Sequence, residues 1–220
     1  MNGDTMPNVL SMSLYGKSSI YLQGALANAK LMPSIYPGWK MVVYCERDAD
    51  MTELESLGVE IRRRGESHQH SGMFWRFLAA WDEDAEYVIF RDADSRINVR
   101  EAAAVRAWIA SGCVAHCMHD HEHHRCMPIF GGMWGIKANV LPMTIRIIVL
   151  QCSHIPQKRV KDMRFLTRYV YPLIKHDTLR HSSQVLDTKN YPGWKHEQIV
   201  RCEPFPEHPA YDGFVGEQHK

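Results

Sequence analysis

Glu86–Asn98, EYVIFRDADSRIN, is the stretch on which the fold turns. Tyr87, Val88, Ile89 and Phe90 form a short continuous apolar run, the pattern of a strand buried on both faces of a sheet. At its carboxyl end the chain turns polar at once, through Arg91, Asp92, Ala93, Asp94, Ser95 and Arg96. In an open α/β sheet the loops at such strand ends stand beside the crevice where ligands bind. Two carboxylates one residue apart repel unless something positive sits beside them, and a hard divalent cation holding a diphosphate meets that need. An Asp-Ala-Asp turn also serves as a plain turn or helix N-cap, so the motif alone leaves both readings open.

The residues upstream supply the sheet around this strand. Pro7 to Leu14 reads as a first strand and ends in Tyr15-Gly16-Lys17-Ser18-Ser19, small and hydroxyl residues over which a nucleotide can approach the backbone. A helix is expected from Ile20 to Met32, closed by Pro33. A second strand is expected from Met41 to Cys45, a short helix from Thr52 to Leu57, and an edge strand around Val59 and Ile61. The order β, α, β, α, β predicts a mainly parallel sheet. Phe77, Leu78 and Trp81 share one helical stripe and read as core. Arg76, just ahead of the carboxylate strand, is placed to pair with Asp92 or a phosphate.

Downstream, a helix over Val99–Ala110 and a strand over Val114–Met118 lead into His119-Asp120-His121-Glu122-His123-His124. With Cys113, Cys117 and Cys126 nearby this run invites a zinc reading, but its spacing matches no paired C-x2-C or H-x3-H arrangement; a polar loop facing substrate fits better. Ile129–Lys137 reads as a glycine-rich strand, Asn139–Gln151 as a helix tolerating Pro142 in its first turn, and Lys161–Lys175 as a further helix. Asp162 opens that helix, where the dipole favours a carboxylate whatever its role. Thr178–Ser183 reads as a last strand carrying His181, and the tail is anchored at Phe214-Val215-Gly216. YPGWK occurs at 36–40 and again at 191–195, with flanks that do not match, as a recurring turn.

Length and composition bound the rest. The 220 residues fit one domain, 1–220, with about 191–220 an irregular tail packed on it. With 45% hydrophobic and 23% charged residues, the composition is that of a globular protein. A net charge of +1 gives no case for bulk nucleic-acid binding or a polybasic membrane anchor. The N-terminus lacks a signal-peptide pattern, Ile145–Leu150 is too short to span a bilayer, and six scattered cysteines suggest a reducing, cytoplasmic setting.

Taken together, NVLSMSLYG, GMFWRFLAAWD leading into EYVIFRDADSR, GGMWGIK, KDMRFL and LRHSS resemble the small GT-A glycosyltransferases of bacteria and of large algal viruses. The resemblance runs from about Val9 to Val215 and implies an α/β chain: a single Rossmann-like GT-A domain whose mixed, mainly parallel sheet is flanked by helices. It implies transfer of a hexose from a nucleotide-sugar donor, a UDP-sugar, to a glycan, polysaccharide or lipid-linked saccharide acceptor, with Mn²⁺ or Mg²⁺ as cofactor. Asp92 and Asp94 then form the D-x-D metal pair, with Asp92 facing ribose or metal and His181 completing the metal shell. Ser13, Leu14 and Tyr15 fall at the nucleotide base, Arg76 and Ala93 beside the donor, and Gly131, Gly132 and Met133 at the sugar. KDMRFL is similar to a D-Q-x-F-L pattern in which the aspartate faces the acceptor, with Met163 in place of the glutamine; Asp162 is the implied general base and Asp120 its rival. Two other readings stay open. One is an aspartate-nucleophile phosphatase using Asp92, the other a zinc-stabilised binding module built on Cys113, Cys117, His119, His121 and Cys126.

Overall fold

The computed structural model describes residues 6–67, 70–125, 127–155, 158, 160–183, 201–206 and 213–217. Cys126 and the second YPGWK, 191–195, lie outside them. The described residues form one eight-stranded sheet between two helical layers. In chain order its strands are β1 (Val9–Leu14), β2 (Lys40–Cys45), β3 (Glu60–Arg63), β4 (Tyr87–Phe90), β5 (Ala115–His119), β6 (Trp134–Lys137), β7 (Thr178–Ser182) and β8 (Cys202–Glu203). Across the sheet they run β3-β2-β1-β4-β6-β5-β7-β8. Only β6 is antiparallel to its neighbours, β4 and β5; the other pairings are parallel. The sheet is therefore mixed and mainly parallel, as the β-α alternation implies.

The chain runs from β1 outward through β2 to β3, then returns to place β4 on the other side of β1. That reversal opens a crevice at the carboxyl ends of β1 and β4, where the two following loops part in opposite directions. All four residues of β4 are buried, which explains an unbroken apolar run rather than an alternating one.

Two cores fill the two faces. On one, a twelve-residue 3-10 helix (His70–Trp81) packs with α4 (Met143–Cys152) and with the run α5 (Lys161–Phe165), a π turn (Leu166–Val170) and α6 (Tyr171–Ile174). Phe77 stands edge-on to Phe90 at 5.5 Å between centroids, and Phe90 stacks on Trp134 at 4.3 Å. On the other face, α1 (Ser19–Ile35), α2 (Thr52–Ser56) and α3 (Val99–Ser111) cover Leu10, Met12, Val43 and Ile89, with Trp108 wholly buried among them. Asn98 caps α3 by accepting the Glu101 N–H at 2.8 Å, and Gly112 ends it in the left-handed region at φ 74°.

Several boundaries differ from the sequence reading. Helix α1 does not stop at Pro33 but runs through it to Ile35. A proline this near the end removes a bond the last turn can spare, and the Tyr36 N–H still donates to the Met32 carbonyl at 2.9 Å. Helix α4 begins at Met143 rather than at Asn139, because Asn139 takes a positive φ of 62° that no helix residue adopts. The expected Lys161–Lys175 helix is interrupted by the π turn. Strand β8, drawn from the tail, was not expected.

Candidate active site

A cavity of about 740 Å³ opens at the carboxyl ends of β1 and β4. Its most buried charged group is Arg76, and β1 fixes where that residue sits. The Arg76 N–H donates to Ser13 Oγ at 2.8 Å, while Ser11 Oγ donates to the Arg76 carbonyl at 2.9 Å. The 3-10 helix thus hangs on two serines of the first strand. From there the guanidinium reaches the Asp92 carboxylate, the Arg91 carbonyl at 3.3 Å, and Asp162 Oδ2 at 3.0 Å.

Arg76 therefore bridges two carboxylates that lie 70 positions apart in sequence. Its own burial opposes the charge, but the two carboxylates outweigh that and raise its pKa. Asp162 also accepts the Met163 N–H at 2.9 Å. Burial pushes the Asp162 carboxyl above the usual carboxylate range, with Arg76 pulling against it and Asp92 adding to it. Burial, then the Asp92 charge, pushes Asp94 up as well. Tyr15 is pushed up to about 12 by burial, so it is a neutral phenol at neutral pH.

Backbone approach completes the cavity. A Cβ on Gly131 would strike Asp162 and Arg76, and one on Gly132 would land on the Asp92 carboxylate. Only hydrogen side chains let this strand entry lie against the charged groups. The D-A-D turn is clamped from behind by α1, where Gly24 abuts the Ala93 carbonyl. Buried Asn28 donates to the Ser95 carbonyl at 2.8 Å and accepts the Ile97 N–H at 3.1 Å. Arg91, next to Asp92, points to the opposite face and pairs with buried Glu101 at 2.7 Å, which also accepts the Tyr36 hydroxyl.

Ser13, Tyr15, Arg76, Asp92, Ala93, Asp94, Gly131, Gly132, Met133 and Asp162 all line the cavity. Leu14, Asp120 and His181 are set apart from its described wall. Leu14 alternates away from Ser13 and is buried in the core on the α1 side. Asp120 is clasped by Arg100 through both oxygens, at 2.8 and 2.9 Å, and accepts the Val215 N–H at 2.9 Å. That carboxylate anchors the C-terminal segment at Val215, which is itself fully buried. His181 Nδ1 lies 2.8 Å from His116 Nε2 inside the sheet layer, and burial pushes its imidazole down to about 4. The reason is register: in the parallel β5–β7 pairing His181 lies opposite Met118, so its ring meets that of His116 two residues back along the same face.

The histidine run does reach the cavity. His121, His123 and His124 line it together with Phe214 and Phe130. The His121 ring lies 4.5 Å from Phe214, and burial holds His124 down to about 4, a neutral imidazole near neutral pH. The described cysteines of the zinc-module set do not converge: Cys113 packs in one core and Cys117 in the other, on opposite faces of the sheet. Among the described residues, no three His, Cys, Asp or Glu side chains are grouped to hold a metal. Asp92 and Asp94 provide hard oxygen donors on one wall of the cavity, where burial and then the Asp92 charge raise Asp94, and such a pair suits a hard divalent cation.

With its sheet order and its cavity at the β1–β4 switch point, the chain has the GT-A glycosyltransferase fold. It is similar to a crystal structure of a glycosyltransferase involved in the glycosylation of the major capsid of PBCV-1: 17% identity, TM-score 0.52, covering 80% of this chain and 83% of that one. It is similar also to a mannosyltransferase from Pyrobaculum calidifontis in complex with GDP-Man and Mn²⁺ (12%, 0.50), covering 87% of this chain but only 62% of that one. Glucosyl-3-phosphoglycerate synthase from Mycobacterium tuberculosis, in complex with Mn²⁺, UDP and glucosyl-3-phosphoglycerate, matches over 80% of this chain and 70% of its own (10%, 0.51). No known family and no curated protein matches the sequence.

Proposed function

We propose that this protein is a metal-dependent glycosyltransferase that moves a hexose from a nucleotide-sugar donor, a UDP-sugar, to a glycan or lipid-linked saccharide acceptor in polysaccharide synthesis. The observation that carries this reading is the Arg76 bridge between Asp92 and Asp162 within one cavity at the switch point of a GT-A fold. Asp94, with Asp92, would hold Mn²⁺ or Mg²⁺. When bound, that cation supplies Lewis-acid stabilisation of the charge left on the departing diphosphate.

The chain's own groups divide the remaining work. Ser13 and Tyr15 border the nucleotide end, and the bare backbone of Gly131-Gly132 leaves room for the sugar beside Asp92. Asp162 takes the acceptor hydroxyl proton on a carboxylate oxygen. Its raised pKa makes it a stronger base than a free carboxylate, while Arg76 keeps it ionised and oriented. Asp120 has no part in this scheme, since Arg100 and Val215 occupy its oxygens. The phosphatase alternative loses its ground, because its aspartates belong after a first strand and here they follow the fourth. Cys45, Cys113, Cys117 and Cys202 are free thiols, which suits a cytoplasmic location.

The test is Asp94→Ala, assayed for UDP release from a panel of UDP-sugars with Mn²⁺. Transfer and donor hydrolysis should both fall at least about a hundredfold, as when one electrostatic stabiliser of a transition state is removed, with the melting temperature unchanged. Retained activity would overturn the assignment.

A further inference from the structure

The net charge of +1 conceals an uneven distribution. Residues 143–176 carry seven Lys and Arg against a single acidic residue, Asp162, although the whole chain holds 26 basic and 25 acidic residues. Asp162 is itself turned inward to Arg76, so it does not offset the basic side chains outside. Exposed apolar residues gather in the same place. Of the ten large hydrophobic side chains that stand exposed among the described residues, seven fall between 140 and 173.

Both features share one side of the molecule. Helix α4 and the α5–α6 run bury Ile145, Val149, Phe165 and Val170 in the same core, so their outer sides face away from the same face of the sheet. On α4 the outward positions Met143 and Ile147 are 58% and 53% exposed. On the following run Tyr169 and Leu173 lie outward, flanked by the exposed Arg164 and Arg168. In sequence, no Asp or Glu falls between Met143 and Lys161.

We propose that this face docks the protein on a bilayer surface containing anionic lipid. Large apolar side chains exposed on helices enter the headgroup boundary, and interleaved arginines and lysines meet the lipid phosphates above them. Neither half alone would select a bilayer: a basic patch without apolar side chains fits a nucleic acid, and an apolar patch without charge fits a second copy of the chain. Their combination selects the membrane. The surface also reaches the cavity, whose wall includes Val160 and Met163 from the same segment. A docked protein therefore holds the cavity mouth close to the lipid. The docking itself stands apart from the transferase reading, since vesicle binding needs no donor, metal or turnover.

The experiment is flotation of the full chain with vesicles of phosphatidylcholine alone and of phosphatidylcholine with about one-third phosphatidylglycerol, at low salt and at about 0.5 M salt. The protein should float with the anionic vesicles and not with the neutral ones, and high salt should weaken binding. Each basic residue near an anionic surface strengthens binding about fivefold, so Arg164→Glu with Arg168→Glu should weaken it about 25-fold or more. Ile147→Ser with Leu173→Ser should weaken it at least about tenfold. Lys30→Glu with Leu57→Ser, on the α1–α2 side, should change nothing. All six positions are exposed, so melting temperatures should stay within about 2 °C. Failure to float with anionic vesicles, or equal flotation of the charge-reversed variant, overturns the proposal. Concentration-dependent dimerisation lost in Ile147→Ser with Leu173→Ser, without vesicle binding, would assign the face to a second copy instead.

Discussion

Replacing Arg76 by alanine should destabilise the fold by about 3–5 kcal/mol, because it strands a buried carboxylate. The two carboxylates contribute unequally. The Asp92 side chain is 43% exposed and screened by water, so its pairing adds little to stability. The Asp162 side chain is only 12% exposed, and the loss of its partner at 3.0 Å leaves a charge that water solvates poorly. For a chain of this length the deficit corresponds to a fall in melting temperature of roughly 6–20 °C. The deficit should also depend on pH, with a definite sign. Burial already raises Asp162 on folding, and without Arg76 it rises further. A carboxyl raised on folding opposes the fold above its folded pKa, and the penalty disappears as pH falls toward the unfolded value of about 4. The gap between variant and parent should therefore be widest near pH 7 and narrow toward pH 5. Urea unfolding of Arg76→Ala, Asp162→Asn and the double variant gives the coupling directly. Single-variant losses that add within about 0.5 kcal/mol at pH 7, with no narrowing toward pH 5, would refute the bridge.

Gly132→Ala should abolish donor binding and lower the melting temperature, because the added Cβ lands on the Asp92 carboxylate and 2.9 Å from the Asp92 backbone nitrogen, so the D-A-D turn itself must shift; calorimetric titration with UDP and Mn²⁺ checks it, and undiminished affinity would contradict it. The His116–His181 pair should make the protein acid-sensitive: His181 is depressed on folding to about 4, so the stability it contributes is complete above its unfolded pKa of about 6.5 and is lost as pH falls toward 4. His181→Asn should flatten that slope in urea titrations between pH 7 and 4, without changing Mn²⁺ affinity, which separates a structural histidine from a metal ligand.

The central architecture was legible because it rests on local pattern. A four-residue apolar run followed at once by charge reads as a buried strand ending at a polar turn, and β4 with its D-A-D turn has that form beside the cavity. Arg76 was legible as a partner of Asp92, but its second partner was not, since Asp162 looks like an ordinary first-turn acid of a helix. Asn28 escaped notice for a similar reason. A polar residue on an amphipathic helix reads as solvent-facing, whereas here both ends of its amide hold the D-A-D loop. A histidine at a strand end suggests a ligand, and only the β5–β7 register reveals that His181 has a partner, His116, on the neighbouring strand. The basic outer face was hidden by averaging, as a whole-chain charge near zero says nothing about where the charges lie.

Thermal unfolding with UDP, GDP, dTDP and CMP, each with Mn²⁺ and again with EDTA, tests the transferase reading most directly. At about a hundred times its dissociation constant, the cognate nucleotide should add ~2.7 kcal/mol, a rise of roughly 5–11 °C. That rise should appear for UDP with Mn²⁺, be lost with EDTA, and be absent in Asp94→Ala. No rise with any of the four nucleotides in the presence of Mn²⁺ would contradict it.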